Sequence, residues 1–334
     1  MPIMTGDENG RATANQPEVS IIIPTFNRRA AVTRLLTSLG QQTHGRFEVI
    51  LVDDGSTDET PSLATGPHPF PLTYLRQANQ GPTAARNRGA AVAQGEVLIF
   101  VDDDMALHPH ALAVLAAACQ RRSGILWMGT RGGPGELSAG AASQAADHPV
   151  DFTLCKTGLL AMLRADFYDI GQFQDPTGGW PNWDDVDFGY RAHLAGYAIW
   201  QRRAALAEHW DYAGQDLAAA CARWRRASQA AVRLFERYPA LQSRLPMFAD
   251  KTPIAWRQDP PRLVARKLAR RLASGGPVLR SLEYVQRRAA AGHWPAPVQS
   301  ALRRWIVGGY IFRGFQDGLQ QTQTTIAERA TVQP

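Results

Sequence analysis

The sequence predicts an α/β chain: a mostly parallel sheet flanked by helices, followed by a helical, basic C-terminal region. Three observations carry this expectation. Short β-rich runs alternate with helical patterns from residue 19 to residue 201. Apolar runs end in polar, mostly acidic stretches at Pro24-Thr25-Phe26-Asn27, Asp53-Asp54 and Asp102-Asp103-Asp104. The charge also changes sign along the chain: residues 1–214 carry 16 Lys and Arg against 23 Asp and Glu, while residues 215–334 carry 20 against 7.

Val19 to Ile23 is a buried-strand run stopped by Pro24. Val32, Leu35, Leu36 and Leu39 recur at helical spacing, and Gly40 closes that helix. Phe47 to Val52 is a second strand. The proline-rich stretch 66–71 is a loop before a short third strand, Leu72 to Arg76. A helix over 82–93 leads through Gly95 to the fourth strand, Val97 to Val101, and residues 111–119 form an alanine-rich helix. Gly and Ala dominate 129–146, which reads as loop with one helical stretch. A helix over 183–195 is opened by Asn182 and closed by Gly196, and a strand from Tyr197 to Gln201 follows. From about residue 215 the pattern is helical and broken by prolines.

The 334 residues, 45% of them hydrophobic, suffice for one large domain or two modest ones and exclude a disordered composition. Residues 1–17 read as a polar tail without secretory features, 18–215 as the α/β domain, and 216–334 as the basic helical region. A mean hydropathy of −0.27, without a long apolar run, argues against a membrane-spanning helix. Cys119, Cys155 and Cys221 lie far apart, which excludes a cysteine-based zinc site and fits a reducing cytoplasm.

Three adjacent carboxylates repel one another unless a positive group neutralises them. Asp102-Asp103-Asp104 therefore reads either as a solvated acidic turn or as a site for Mg²⁺ or Mn²⁺ beside a substrate diphosphate. Asp53-Asp54-Gly-Ser-Thr-Asp58 reads as a turn and helix cap, or as an acceptor for a base ring N–H. Asn79-Gln80-Gly81-Pro82 through Ala85-Arg86-Asn87-Arg88-Gly89 begins a helix with small residues and arginines, which suits a diphosphate or leaves Arg86 and Arg88 as surface charge only. Neither G-x-G-x-x-G after the first strand nor a P-loop is present, which speaks against a dinucleotide or P-loop site. In Gly178-Gly-Trp180-Pro-Asn-Trp183-Asp184-Asp185-Val-Asp187, the carboxylates fit a helix first turn. Trp180 and Trp183 beside them also suit sugar stacking, and a carboxylate there can take a hydroxyl proton.

Val19-Ser-Ile-Ile-Ile-Pro-Thr-Phe-Asn-Arg28, Val52-Asp-Asp-Gly-Ser-Thr-Asp58, Ala84-Ala-Arg-Asn-Arg-Gly89, Gly95-Glu-Val-Leu-Ile-Phe-Val-Asp-Asp-Asp104 and Trp183-Asp-Asp-Val-Asp187 occur in the order seen in family-2 glycosyltransferases. The resemblance spans about residues 18–215. It implies a GT-A fold, with nucleotide-sugar binding in 18–105 and acceptor binding in 106–215. It further implies a nucleotide-sugar donor, expected from the ring N–H reading to be a UDP- or dTDP-sugar, with Mn²⁺ or Mg²⁺, inversion at the anomeric carbon, and a place in polysaccharide or cell-envelope biosynthesis.

By position, the resemblance assigns Pro24, Thr25, Asn27, Asp53 and Asp54 to the nucleotide pocket, and Arg86 and Asn87 to the diphosphate side. Asp104 becomes the direct metal ligand, with Asp102 and His209 as further ligands and Asp102 or Asp103 near the ribose. Asp185 resembles the catalytic base. Asp184 stands where the family usually carries Glu, and Gly171-Gln172-Phe173 stands for its usual Gly-Gly-Phe in the segment shaping the acceptor pocket.

In the basic region, 262–272 places Val264, Leu268 and Leu272 on one face and Arg266, Arg270 and Arg271 largely on the other. Val298, Ala301, Leu302, Trp305 and Ile306 repeat the pattern. Such stripes pack on a protein core or lie on an anionic membrane surface. The expected partners are thus a nucleotide-sugar donor, a carbohydrate, lipid-linked or small-molecule acceptor and an anionic membrane surface, with no nucleic acid. The expected place is the cytoplasm, at the inner membrane face. Rival readings are a sugar nucleotidylyltransferase and a non-catalytic carbohydrate- or membrane-binding relative.

Overall fold

The computed structural model describes residues 16–136, 146–176, 183–210 and 216–332, with side chains described to residue 322. Of the tail 1–17, only Gln16 and Pro17 are among them. The chain divides into two compact units, Met1–Gln174 with Phe188–Trp210, and Asp175–Asp187 with Asp211–Pro334.

The first unit contains β1 (Val19–Thr25), α1 (Arg29–Leu39), β2 (Phe47–Asp53), β3 (Leu72–Arg76), α2 (Pro82–Val92), β4 (Val97–Val101), β5 (Met105–Leu107), α3 (Ala111–Arg121), β6 (Ile125–Gly132), β7 (His148–Pro149), β8 (Leu159–Leu163) and α4 (Arg164–Asp169). The helix α5 (Asp184–Leu194) has its first turn in the second unit and its remainder in the first, which then adds β9 (Ala198–His209).

The strands form one sheet in the order β3-β2-β1-β4-β8-β6-β9-β5, with β7 also on β9. Strands β3, β2, β1 and β4 are mutually parallel, and β8 enters antiparallel between β4 and β6. β1, β2 and β4 are buried along their whole length, as expected for strands covered on both faces. Their core includes Ile21, Ile23, Val49, Leu51, Ile99 and Val101, with Leu35, Leu112 and Leu115 of the flanking helices.

Several expectations need correction. β1 continues through Pro24 to Thr25; its ladder with β4 ends at Ile22, so the missing proline N–H removes no bond on that side. Residues 129–132, expected as loop, belong to strand β6, and residues 137–145 lie outside the described residues. The strand expected to end at Gln201 runs on to His209. A register shift lets β9 follow β6 as far as Glu208 and pair its end with β5.

The second unit is helical: α6 (Leu217–Arg237), α7 (Leu241–Arg244), α8 (Pro261–Ala273), α9 (Gly276–Ala291) and α10 (Ala296–Val332). Asp216 caps α6 by accepting from the Ala218 and Ala219 amides. Phe248 gathers the core, with ring centroids 5.7 Å from Trp183, 5.3 Å from Phe235 and 5.3 Å from Phe315. Gly314 and Gly318 bring α10 against α6. A Cβ at Gly314 would lie 1.9 Å from the Arg225 carbonyl oxygen, and one at Gly318 would lie 2.6 Å from that of Gln229. Among the described residues no helix is long and apolar enough to cross a membrane.

Candidate functional site

In the first unit, the loops after β1, β2 and β4 meet at the carboxyl ends of parallel strands, where open α/β sheets collect ligands. Asn27 turns the chain out of β1 with φ +54°, a left-handed conformation that Asn tolerates better than most side chains. Its carboxamide oxygen accepts from the Thr57 amide at 2.7 Å and the Asp58 amide at 3.2 Å, and its own amide donates to Ser56 Oγ. Asn27 therefore ties the β1 loop to the β2 loop.

The two aspartates after β2 are both buried. Asp53 accepts from the Ser56 amide at 2.7 Å and from the Tyr74 hydroxyl. Asp54 accepts from Gln77 Nε2, the Gln80 amide and the Gly81 amide, each at 2.8 Å. The Asp53 carboxylate thus holds the turn 53–56 and the Asp54 carboxylate the loop 77–81.

After β4 the pattern differs. Asp103 is buried and accepts from Thr25 Oγ1 at 2.8 Å, and Arg28 Nη1 reaches it at 3.1 Å. The same Nη1 stands 2.9 Å from Asp104 Oδ2. Asp102 is bound instead by the buried Arg86, at 2.7 Å. A Cβ on Gly158 would stand 2.7 Å from Asp102 Oδ2, so the bare backbone there leaves that carboxylate its place. The register Met105↔His209 carries the histidine to Asp104, with Nε2 3.4 Å from Oδ1, and the Trp210 amide donates to the Asp104 carbonyl. His209 thus ends a strand rather than following one.

Burial pushes the Asp103 carboxyl up to about 6, against the opposing pull of Arg28 and Thr25. Burial also raises Asp104, but His209 and Arg28 outweigh it and hold the carboxyl below its ordinary value. Burial alone would lower Arg28, yet Asp103 and Asp104 hold it above its ordinary range. Sequence reasoning demanded a positive neighbour for the triplet without naming one. Arg28, directly after Asn27, is that neighbour and was missed as a site residue.

The donor set fits a hard divalent cation in one specific sense. Asp104 Oδ1 is buried and receives no well-directed hydrogen bond among the described residues, while an imidazole stands beside it. A carboxylate completed by substrate phosphates and water is a usual Mg²⁺ or Mn²⁺ arrangement, and an imidazole beside it suits the softer Mn²⁺ better than Mg²⁺. A closed protein cage is absent: no three His, Cys, Asp or Glu side chains converge on a metal position among the described residues.

Other expected site residues have structural partners. Asn87 donates to the Phe173 carbonyl at 2.8 Å and accepts from the Phe173 amide at 3.1 Å, anchoring the segment after α4. There Gly171 and Gln172 both have positive φ, +89° and +59°. In the second unit, Asp184, Asp185 and Asp187 occupy the first turn of α5, where the helix dipole favours negative charge. Asp184 and Asp187 are buried and Asp185 is half-buried, its Oδ1 accepting from the Val186 amide. Trp183, expected to stack on a sugar, is instead a core residue. Its ring packs on Phe248 and its Nε1 donates to the Ala227 carbonyl at 2.7 Å, so its indole is committed to the interior. Trp180 lies outside the described residues.

The profile of the family described as Glycosyl transferase family 2 matches residues 20–167. An uncharacterized glycosyltransferase of Haemophilus influenzae is 45% identical over 92 residues, which cover 27% of this chain and 31% of that protein. The validoxylamine A glucosyltransferase of Streptomyces hygroscopicus subsp. jinggangensis is 29% identical over 226 residues, 55% of this chain and 53% of the relative. The chain thus spans 31% of the first of these relatives and 53% of the second. The mannosyltransferase PcManGT of Pyrobaculum calidifontis, solved with GDP-Man and Mn²⁺, aligns with a TM-score of 0.59 at 20% identity, over 92% of this chain and 88% of that one. At that identity the likeness is one of fold.

Proposed function

Since the chain belongs to glycosyl transferase family 2 and has a GT-A-like fold, we propose that it moves a sugar from a nucleoside-diphosphate donor to an acceptor hydroxyl with inversion. The donor we favour is a UDP- or dTDP-hexose, and the acceptor a glycan, a lipid-linked sugar or a small molecule. The relative named for glucosyl transfer supports a hexosyl donor, and the Mn²⁺ in the mannosyltransferase structure supports a cation.

The observation that carries this reading is the β4 end. Asp104, with a buried oxygen that receives no well-directed hydrogen bond among the described residues, stands between Arg28 and His209. Asp104 and His209 would hold the cation, and Asp103 together with Thr25 would face the ribose side of the donor. A bound cation supplies charge neutralisation at the leaving diphosphate. Arg86, held by Asp102, directs a second positive charge toward the same developing charge.

Asp53, Asp54 and Asn27 shape the nucleotide pocket through the loops they fix, and Asn87 does the same for the acceptor-side segment. Asp185, half-buried at a helix N-terminus, takes the proton from the attacking hydroxyl, and Asp184 supports it. Asp185→Asn keeps the shape and removes the base. Transfer from a radiolabelled UDP-hexose should fall by orders of magnitude while UDP binding persists, and undiminished transfer would refute the role.

A further inference from the structure

Helix α8 packs the half-buried Leu263 and Val264 inward but turns a second apolar stripe out. Its one fully buried side chain is Lys267, 4% exposed, whose Nζ binds Asp259 at 2.6 Å and the Pro253 carbonyl at 2.9 Å. Arg266 and Arg270 reach the buried Asp250 from the same helix, and Arg313 donates to the carbonyl of Ser274 just past its end. Polar bonds therefore seat α8 on its unit. Two of its three leucines do the reverse: Leu272 is 75% exposed and Leu268 41%. At i and i+4 they share one outer face, next to Ala265 and Ala269, with the exposed Arg262, Arg266 and Arg271 nearby.

A stripe of leucine presented outward costs solubility unless something covers it. The surroundings say what does. Residues 256–305 carry eleven Lys and Arg against two acidic residues, Asp259 and Glu283. Trp256, Trp294 and Trp305 in the same stretch are also exposed. Outward leucine flanked by arginine, with tryptophan close in sequence, is the composition that settles at the boundary between acyl chains and anionic headgroups.

We propose that α8 docks the protein on an anionic lipid surface, its leucines entering the headgroup boundary and its arginines pairing with lipid phosphates. A soluble acidic partner would need the arginines and not the leucines. A second copy of this chain would bring the same positive charge against itself, which disfavours self-association through this face. The inference stands apart from the donor chemistry, because docking requires neither nucleotide nor cation.

Vesicle flotation tests it, using phosphatidylcholine with and without phosphatidylglycerol. The wild-type chain should float with the phosphatidylglycerol vesicles, and added salt should release part of it. Leu268→Gln/Leu272→Gln, at exposed positions, should weaken binding by about tenfold or more without lowering the melting temperature. Arg262→Gln/Arg271→Gln should weaken it as well and reduce the salt effect. Absence of flotation, equal flotation with neutral vesicles, or undiminished flotation of the leucine variant would overturn the proposal. So would self-association that the leucine variant loses while vesicles leave the wild type behind, which would make α8 an interface between copies.

Discussion

The ends of β2 and β4 bear the same signature, adjacent aspartates after a buried apolar strand, yet their carboxylates serve different ends. Asp54 is satisfied by its own neighbourhood, two backbone amides and one glutamine, so it builds a loop. Asp104 faces a guanidinium and an imidazole, and its Oδ1 receives no well-directed hydrogen bond among the described residues. Such a carboxylate is available to an incoming charge. The comparison teaches that acidity at a strand end does not distinguish scaffold from site; the supply of local amides does.

The largest effect should come from breaking the β4 side. Asp104→Asn should reduce sugar transfer by roughly a thousandfold, the scale of several kcal/mol of lost charge stabilisation, while leaving the melting temperature nearly unchanged. Asp54→Ala should act in the opposite currency. It strands the Gln80 and Gly81 amides and should cost about 2–3 kcal/mol of stability in denaturant unfolding. If Asp54→Ala proved as stable as wild type, the scaffold half of the contrast would fail.

Arg28 offers a finer test. It lies between Asp103 and Asp104 as a positive charge that a divalent cation must share or displace. Arg28→Gln should therefore tighten Mn²⁺ binding by about fivefold to tenfold, read by electron paramagnetic resonance of free Mn²⁺. Weaker binding in that variant would make Arg28 a helper rather than a competitor.

A pH titration sharpens the same point. The Asp103 carboxyl, pushed up to about 6 from 3.8, keeps a proton in the folded chain that the unfolded chain has released. Taken alone, this group adds stability as pH falls through that window, because the folded state binds more protons there. For a bound cation the sign reverses, since the proton opposes it. Mn²⁺ affinity should weaken as pH falls through about 6.

The smallest effect belongs to Gln172, whose φ of +59° favours glycine. Gln172→Gly should change stability by no more than about 1 kcal/mol, with relief of backbone strain offset by a more flexible unfolded chain.

How far the sequence revealed all this varied with how local the physics was. β1, β2 and β4 were legible because runs dominated by β-branched and aromatic residues permit little else. β8 was not: Leu159-Leu-Ala-Met-Leu163 has helix-favouring residues, and only its place between β4 and β6, buried on both faces, makes it a strand. The extension of β9 was hidden because Gln201, Arg202 and Arg203 interrupt its apolar pattern, although the strand runs on without a break. His209 reaches Asp104 only through that extension. At the site, the acidic residues were visible, but which were already saturated depended on Tyr74, Gln77 and the amides of 80 and 81, partners brought in by folding. Trp183 misled for a related reason, since an indole beside carboxylates looks the same in sequence whether it faces a sugar or Phe248.

The most direct test of the central claim is the binding of UDP, with and without Mn²⁺, to the wild-type chain and to Asp104→Asn, measured by calorimetry. UDP should bind the wild type far more tightly with Mn²⁺ than without it, and Asp104→Asn should lose that difference while keeping its fold. Binding of equal strength with and without Mn²⁺, or an Mn²⁺ effect of undiminished size in Asp104→Asn, would contradict a cation-assisted donor site at the end of β4.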